Sequence, residues 1–357
     1  MRCCKEDPDR SEDSREEGAV KKRQVLFVGL LLLLTLALNV QSQDNQPLKL
    51  VQTIPMPGVQ GRMDHLGVDV KGKRLFAAAL GDKQNTVEVL DLKAGKRIAS
   101  IPGQSKPQGV FYSPDFKRLF VANGDDGSCK IFRGNNFQPI TSLALGTNAN
   151  HVGYDPATKY LYVGNGDAKS GQLSIIDTHA NQHIGDIKTE ARPGGIKFET
   201  SGPRIFVTLT GAAKVGVLDR QQRQQTETWP APVPVVSLAI DPDHHRLFGG
   251  TRTPPTLVVF DTDSGKQITQ LEGVAGIDDL WYDAAHKRIY ATGGRDVGAG
   301  FVYVYGQTDP DHYDLLTKLT SEPNAQTSIW VPQFDRLYVS ASSNGSRDAE
   351  ILVYEPQ

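Results

Sequence analysis

Three pairs of neighbouring residues carry most of the chemistry open to this chain: Asp64-His65, Asn150-His151 and Asp278-Asp279. Carboxylate and amide oxygens beside two imidazoles suit Ca²⁺ or Zn²⁺, with Asp64, Asn150 and Asp278 as the oxygen donors, and the same groups can act as acid and base on a bound substrate. Gln108 adds a further amide, and Arg62, Arg192 and Arg295 add cations suited to an anionic ligand. No serine or cysteine nucleophile motif, phosphate-binding loop or paired zinc-binding cysteine motif is present. Residues this far apart in the chain act together only if the fold gathers them, so the elements that carry them decide the matter.

Those elements repeat. An aliphatic-aromatic pair follows a short basic or turn-forming step seven times, at Lys73-Arg74-Leu75-Phe76, Lys117-Arg118-Leu119-Phe120, Lys159-Tyr160-Leu161-Tyr162, Pro203-Arg204-Ile205-Phe206, His245-Arg246-Leu247-Phe248, Lys287-Arg288-Ile289-Tyr290 and Asp335-Arg336-Leu337-Tyr338. The second residue of each anchor falls at 74, 118, 160, 204, 246, 288 and 336, with steps of 44, 42, 44, 42, 42 and 48. That period is the length of one four-stranded propeller blade. Before each anchor lies a period-two stretch such as Leu66 to Val70, then a turn such as Ser113-Pro114-Asp115. After it come a third strand, such as Val87 to Asp91, and a hairpin such as Asp91 to Lys96 leading to an outer strand.

Leu48 to Pro55 resembles an outer strand, whereas the last unit stops after its third strand at Ile351 to Tyr354. The expected fold is therefore all-β: a seven-bladed β-propeller of four-stranded antiparallel blades, its ring closed by an N-terminal outer strand that completes the last blade.

The repeat register locates the channel mouth. Ten residues before the second anchor residue stand Asp64, Gln108, Asn150, Gly194, Val236, Asp278 and Gln326; nine before stand His65, Gly109, His151, Gly195, Ser237, Asp279 and Thr327. Both rows are mostly polar or small, while the rows eight and six before are mostly apolar and read as packing between blades. The switch in polarity marks where the strands leave the core. Neighbouring residues of a regular strand point oppositely, so the register alone leaves open whether both polar rows face the channel. Asp241-Pro242-Asp243-His244-His245 looks like a ligand set but aligns with the first hairpin turns of the other blades, and Asp309 to Asp314, a second candidate metal set, lies before an outer strand of the longer sixth unit, where a loop insertion is tolerated.

Residues 1–23 carry seven basic and seven acidic residues and residues 24–42 none, leaving 32 basic and 34 acidic from 43 to 357. That balance gives no reason to expect nucleic acid. Lys21-Lys22-Arg23, the apolar run Val25 to Val40 and the small residues around Ser42 together read as an export signal. The expected division is residues 1–42 as signal or membrane anchor and 43–357 as one propeller domain, periplasmic or secreted. A cleaved product keeps Cys129 as its only thiol, which excludes an intramolecular disulfide.

Ser113-Pro114-Asp115-Phe116-Lys117-Arg118-Leu119-Phe120-Val121-Ala122-Asn123 and Lys159-Tyr160-Leu161-Tyr162-Val163-Gly164-Asn165 resemble the YVTN-repeat β-propellers, including the exported YncE-like group. The resemblance implies an exported propeller without a defined reaction, which would bind a protein, peptide or cell-envelope ligand across its mouth. No cofactor is certain; Ca²⁺ or Zn²⁺ belongs to an alternative, a metal-dependent hydrolase similar to the gluconolactonase and related lactonase propellers. In that reading His65 or His151 carries the proton, but those lactonases have six blades and a Glu-Asn-Asp metal set that this chain does not reproduce.

Overall fold

A computed structural model describes Met1 and residues 46–81 and 85–357. The signal or anchor segment at 25–40 lies outside these residues. Seven four-stranded antiparallel sheets are present, built from residues 62–101, 107–144, 152–189, 193–230, 235–272, 277–321 and, for the seventh, 325–356 joined by 48–55. We call these blades 1 to 7. In each, the strands lie side by side in chain order, first strand innermost. The fourth strand of blade 7 is Leu48–Pro55, paired antiparallel to Glu350–Pro356, as the truncated last repeat implies.

The anchors owe their recurrence to packing. Phe76, Phe120, Phe206, Phe248 and Tyr290 are fully buried, and Tyr162 and Tyr338 nearly so. Each of the seven junctions between blades holds its own apolar cluster; between blades 7 and 1, for example, Ile54, Tyr338 and Ile351 meet Met63, Leu75 and Leu90. A blade alone would leave both faces of its sheet wet, so burial requires neighbours on either side.

The anchor arginine has a separate task. Arg74 donates to the Gly134 carbonyl of blade 2, Arg118 to Thr178 and His179 of blade 3, Arg204 to Thr262 of blade 5, Arg246 to Pro310 of blade 6 and Arg288 to Pro47 at the start of the closing strand. Five of the seven junctions thus carry the same clamp. A guanidinium suits it because one fork can bond the turn of its own blade and a carbonyl of the next. Arg74, for instance, also grips Asp69 at 2.7 Å. The residue before the second anchor position takes a left-handed conformation in six blades, with φ between 51° and 62° at Lys73, Lys117, Lys159, His245, Lys287 and Asp335. The turn that aims the clamp therefore imposes a conformation that most side chains avoid.

The closing strand contributes through its buried side chains. Ile54 is fully buried, whereas Leu50 on the same strand is 47% exposed. Ile54→Ala should cost roughly 2–5 kcal/mol of unfolding free energy, and Leu50→Ala should stay within about 0.5 kcal/mol of wild type. Urea denaturation of both variants checks this.

Candidate functional site

The mouth of the ring opens into a cavity of about 500 Å³ whose wall includes Asp64, Gln108, Asn150, Gly194, Val236 and Asp278, six of the seven residues in the outer polar row. Beneath it lies a second space of about 90 Å³. Its lining includes Gly195, Ser237 and Asp279 from the inner row, and His65, His151 and Asp278 border both spaces. Arg62, Arg192 and Arg295 stand on the upper wall. The ten candidate residues therefore converge on one channel, nine at the mouth and Asp279 below.

Both polar rows reach the channel because the innermost strands are not regular where they enter. The pairing register of the first and second strands shifts between Met63 and Leu66, Pro107 and Val110, Gly194 and Lys197, Val235 and Ser237, Ile277 and Asp279, and Ala325 and Thr327. In blade 3, the Asn150 N–H donates to the Gly164 carbonyl while the Gly164 N–H donates to His151, so both residues oppose one partner. One extra residue per blade breaks the strict alternation and re-aims side chains toward the axis. Small residues make room for the rest. A Cβ on Gly109 would lie 2.1 Å from the Asn150 carbonyl, and one on Gly194 would meet His151 Nδ1 at 3.0 Å.

At the centre the His65 and His151 rings stand 4.6 Å apart, tilted by 51°. His65 Nδ1 faces Asp279 at 3.5 Å and its Nε2 faces Asp64 at 3.7 Å. Burial opposes protonation of His65, but the carboxylates of Asp279, Asp64 and Asp278 outweigh it and raise the pKa to about 9. Its neighbour behaves in the opposite way. Burial, and then the charges of His65, Arg192 and Lys197, hold His151 well below the usual histidine range, so it is neutral. Burial pushes Asp278 up to about 6 against the attraction of Arg252, with Asp64 and Asp279 adding to the rise. Asp279 is further held by the Ser328 N–H at 2.8 Å.

Pairing accounts for much of the remaining charge. Arg62 bonds Asp64 at 2.7 Å, and Arg252 bonds Asp278 at 2.5 Å while donating to the Ile277 carbonyl. Arg192 makes no side-chain hydrogen bond or ion pair among the described residues. Nor do four buried atoms of the channel, Asn150 Oδ1, His151 Nδ1, Ser237 Oγ and Asp278 Oδ2, find a hydrogen-bond partner there. Lys106, Arg62, Arg192, Arg252 and Arg295 line the mouth against Asp64, Asp167 and Asp278, a balance of +2 that protonated His65 raises to +3.

Lys106, Arg252 and Lys197 escaped the sequence reading. Lys106 stands twelve residues before Arg118, in the row that also holds Arg62 and Arg192, and Arg252 lies six after Arg246, in the loop row that supplies Thr210. Extending the register by these two rows would have found both. Lys197 shares with Trp281 a row that is otherwise small or apolar and reads as core. Its ammonium sits 4.8 Å from the Trp281 ring centroid, joining blades 4 and 6 across the lower space, and burial depresses its pKa.

The two louder motifs are turns. Asp241 caps its own hairpin through the His244 N–H and ring, and Asp309 does the same with His312. Among the described residues, Asp283, His286 and Asp335 are close enough to share a metal ion. They lie at the far end of the strands, where Asp283 already accepts from Ala285, His286 and Tyr290.

No protein-family model and no curated protein matches the chain. Solved structures do. One chain in the crystal structure of the mitotic checkpoint complex superposes with a TM-score of 0.71 at 14% identity, over 88% of this chain and 94% of that one. A chain of Kuenenia stuttgartiensis hydrazine synthase gives 0.58 at 19% identity, over 66% and 74%. At such identities the likeness is one of fold, and the class is a seven-bladed β-propeller scaffold, here with a cation-rich channel mouth.

The raised pKa of His65 has a consequence for stability. Because the folded value lies above the unfolded one, its contribution is fully present below about pH 6.5 and is lost as pH rises through about 9. The displacement corresponds to roughly 3 kcal/mol. Thermal unfolding of the wild type should lose stability between pH 7 and 9.5, and His65→Gln should flatten that decline.

Proposed function

We propose that the protein is an exported propeller of the YVTN-repeat, YncE-like kind that binds an anionic ligand at its channel mouth without transforming it. The ligand is a protein, peptide or cell-envelope component that presents its anion to the ring. The observation that carries this reading is the unpaired Arg192 guanidinium in a mouth whose fixed charges sum to +2. A half-buried cation without a partner is incompletely stabilised, and an incoming carboxylate or phosphate oxygen would supply one. Export rests on Lys21 to Arg23 and the apolar run after them. In the producing cell, the mature N-terminus should then fall near residue 43.

The binding test is charge reversal. Crosslinking to envelope extract should recover a defined ligand with the wild-type protein and lose it with Arg192→Glu. An empty wild-type capture, or the same capture with the variant, would remove the reading.

One observation favours a second reading. Two imidazoles 4.6 Å apart, one protonated and one neutral at pH 7, are an acid and a base in contact. In a hydrolase, His151 would take a proton from water and His65 would give one to the leaving group. Metal dependence fits less well, since a cation at Asp64 and Asp278 would sit against the guanidinium charges of Arg62 and Arg252. Under this reading lactones or esters are hydrolysed, and His151→Ala lowers the rate by about 10²-fold or more. A screen of such substrates, with and without Ca²⁺ and Zn²⁺, decides it.

A further inference from the structure

The proposed anion site contains more than cations. Asn150 Oδ1 and Asp278 Oδ2 are buried, belong to residues that line the same 500 Å³ cavity as Arg192 and accept no hydrogen bond among the described residues. Burying an acceptor without a donor costs about 1–3 kcal/mol, more where it is charged. Asp278 has only one oxygen engaged, by Arg252, and the other is left for whatever enters. A ligand that completes this wall therefore brings two complementary parts: an anionic group for Arg192, and O–H or N–H donors for the orphaned oxygens.

We infer that the group entering the mouth is a small carboxylate with hydroxyl or ammonium donors on its neighbouring carbons, a hydroxy acid or an amino acid, free or as the terminal unit of a larger ligand. This rests on the anion-binding reading above and narrows it. Sulfate fits poorly, because its oxygens would meet the free Asp278 oxygen with lone pairs facing lone pairs. A plain dicarboxylate satisfies Arg192 but leaves Asn150 and Asp278 unpartnered. The volume is within the range of small-ligand pockets and exceeds what four to six heavy atoms require, leaving space for the rest of a larger ligand.

The same logic separates binding from specificity. The carboxylate contact supplies attraction for any acid, whereas the acceptors reward only those that donate, and sites built to bond a donor reject the analogue that lacks it.

Matched acids test this by isothermal titration calorimetry on the full chain at pH 7. L-Malate and L-aspartate each differ from succinate by one donor group, and inorganic sulfate supplies an oxyanion without a donor. At least one donor-bearing acid should bind ten-fold or more tightly than succinate and sulfate. If malate alone does so the ligand is a hydroxy acid, and if aspartate alone an amino acid. Asn150→Leu should reduce the ratio to succinate toward one, with circular dichroism confirming that the variant is folded. Succinate binding as tightly as both donor-bearing acids would overturn the inference while leaving the anion site in place, as would sulfate binding tightest. Absence of heat with every acid up to millimolar concentration would overturn the inference and the anion site together.

Discussion

Everything in this molecule depends on one sheet being assembled from both ends of the propeller. Leu48–Pro55 pairs along its length with Glu350–Pro356, and Leu48 and Ile54 enter the clusters on the two sides of blade 7. Without that pairing the ring would have a free edge, and the channel mouth would lose its fixed geometry. Closure also converts seven locally weak units into one cooperative object, because each junction is buried only when both neighbours are in place. The arginine clamps follow the same path round the ring, and the clamp from Arg288 ends on Pro47, at the start of the closing strand.

That rigid ring tolerates an axis which is electrostatically unfavourable. His65, Asp64, Asp278, Asp279 and Lys197 are crowded together with little exposed surface, and burial raises the pKa of Asp278 and lowers that of Lys197. A core chosen for stability alone would replace such groups with packed hydrocarbon. In the binding proposal, the buried acceptors without donors and the guanidinium without an anion are the groups that a ligand would complete. The opposite protonation of His65 and His151 arises from the same crowding: once the carboxylates hold a proton on one ring, its charge helps keep the other neutral.

The two readings of the mouth differ in what they ask of the imidazoles, while sharing the rest of the wall. Binding uses the cations and the orphaned oxygens and leaves the His65 proton in place, its charge balanced by Asp279. Hydrolysis requires that charge to give up a proton. A pKa near 9 makes His65 a weak acid at neutral pH, which favours the first reading.

The repeat spacing, the buried anchor aromatics and the split final blade determined the architecture within the sequence itself, because period and hydrophobic alternation are local properties that survive without knowledge of neighbours. The same register brought forward Asp64, His65, Asn150, His151, Asp278 and Asp279, since a position near the axis in one blade is near the axis in all. Lys197 stayed hidden for the corresponding reason: its row is small or apolar elsewhere, and only the closed ring sets it opposite Trp281. Whether two adjacent residues could both face the channel was likewise decided by the tertiary structure. The register shifts that turn both inward arise where first strand meets second, and a pairing irregularity has no signature in either strand alone. Ion pairing was the last thing to appear. Arg62 finds Asp64 on its own strand, but that Arg252 is satisfied while Arg192 is left free depends on how neighbouring blades meet, an arrangement that exists only once the blades have packed.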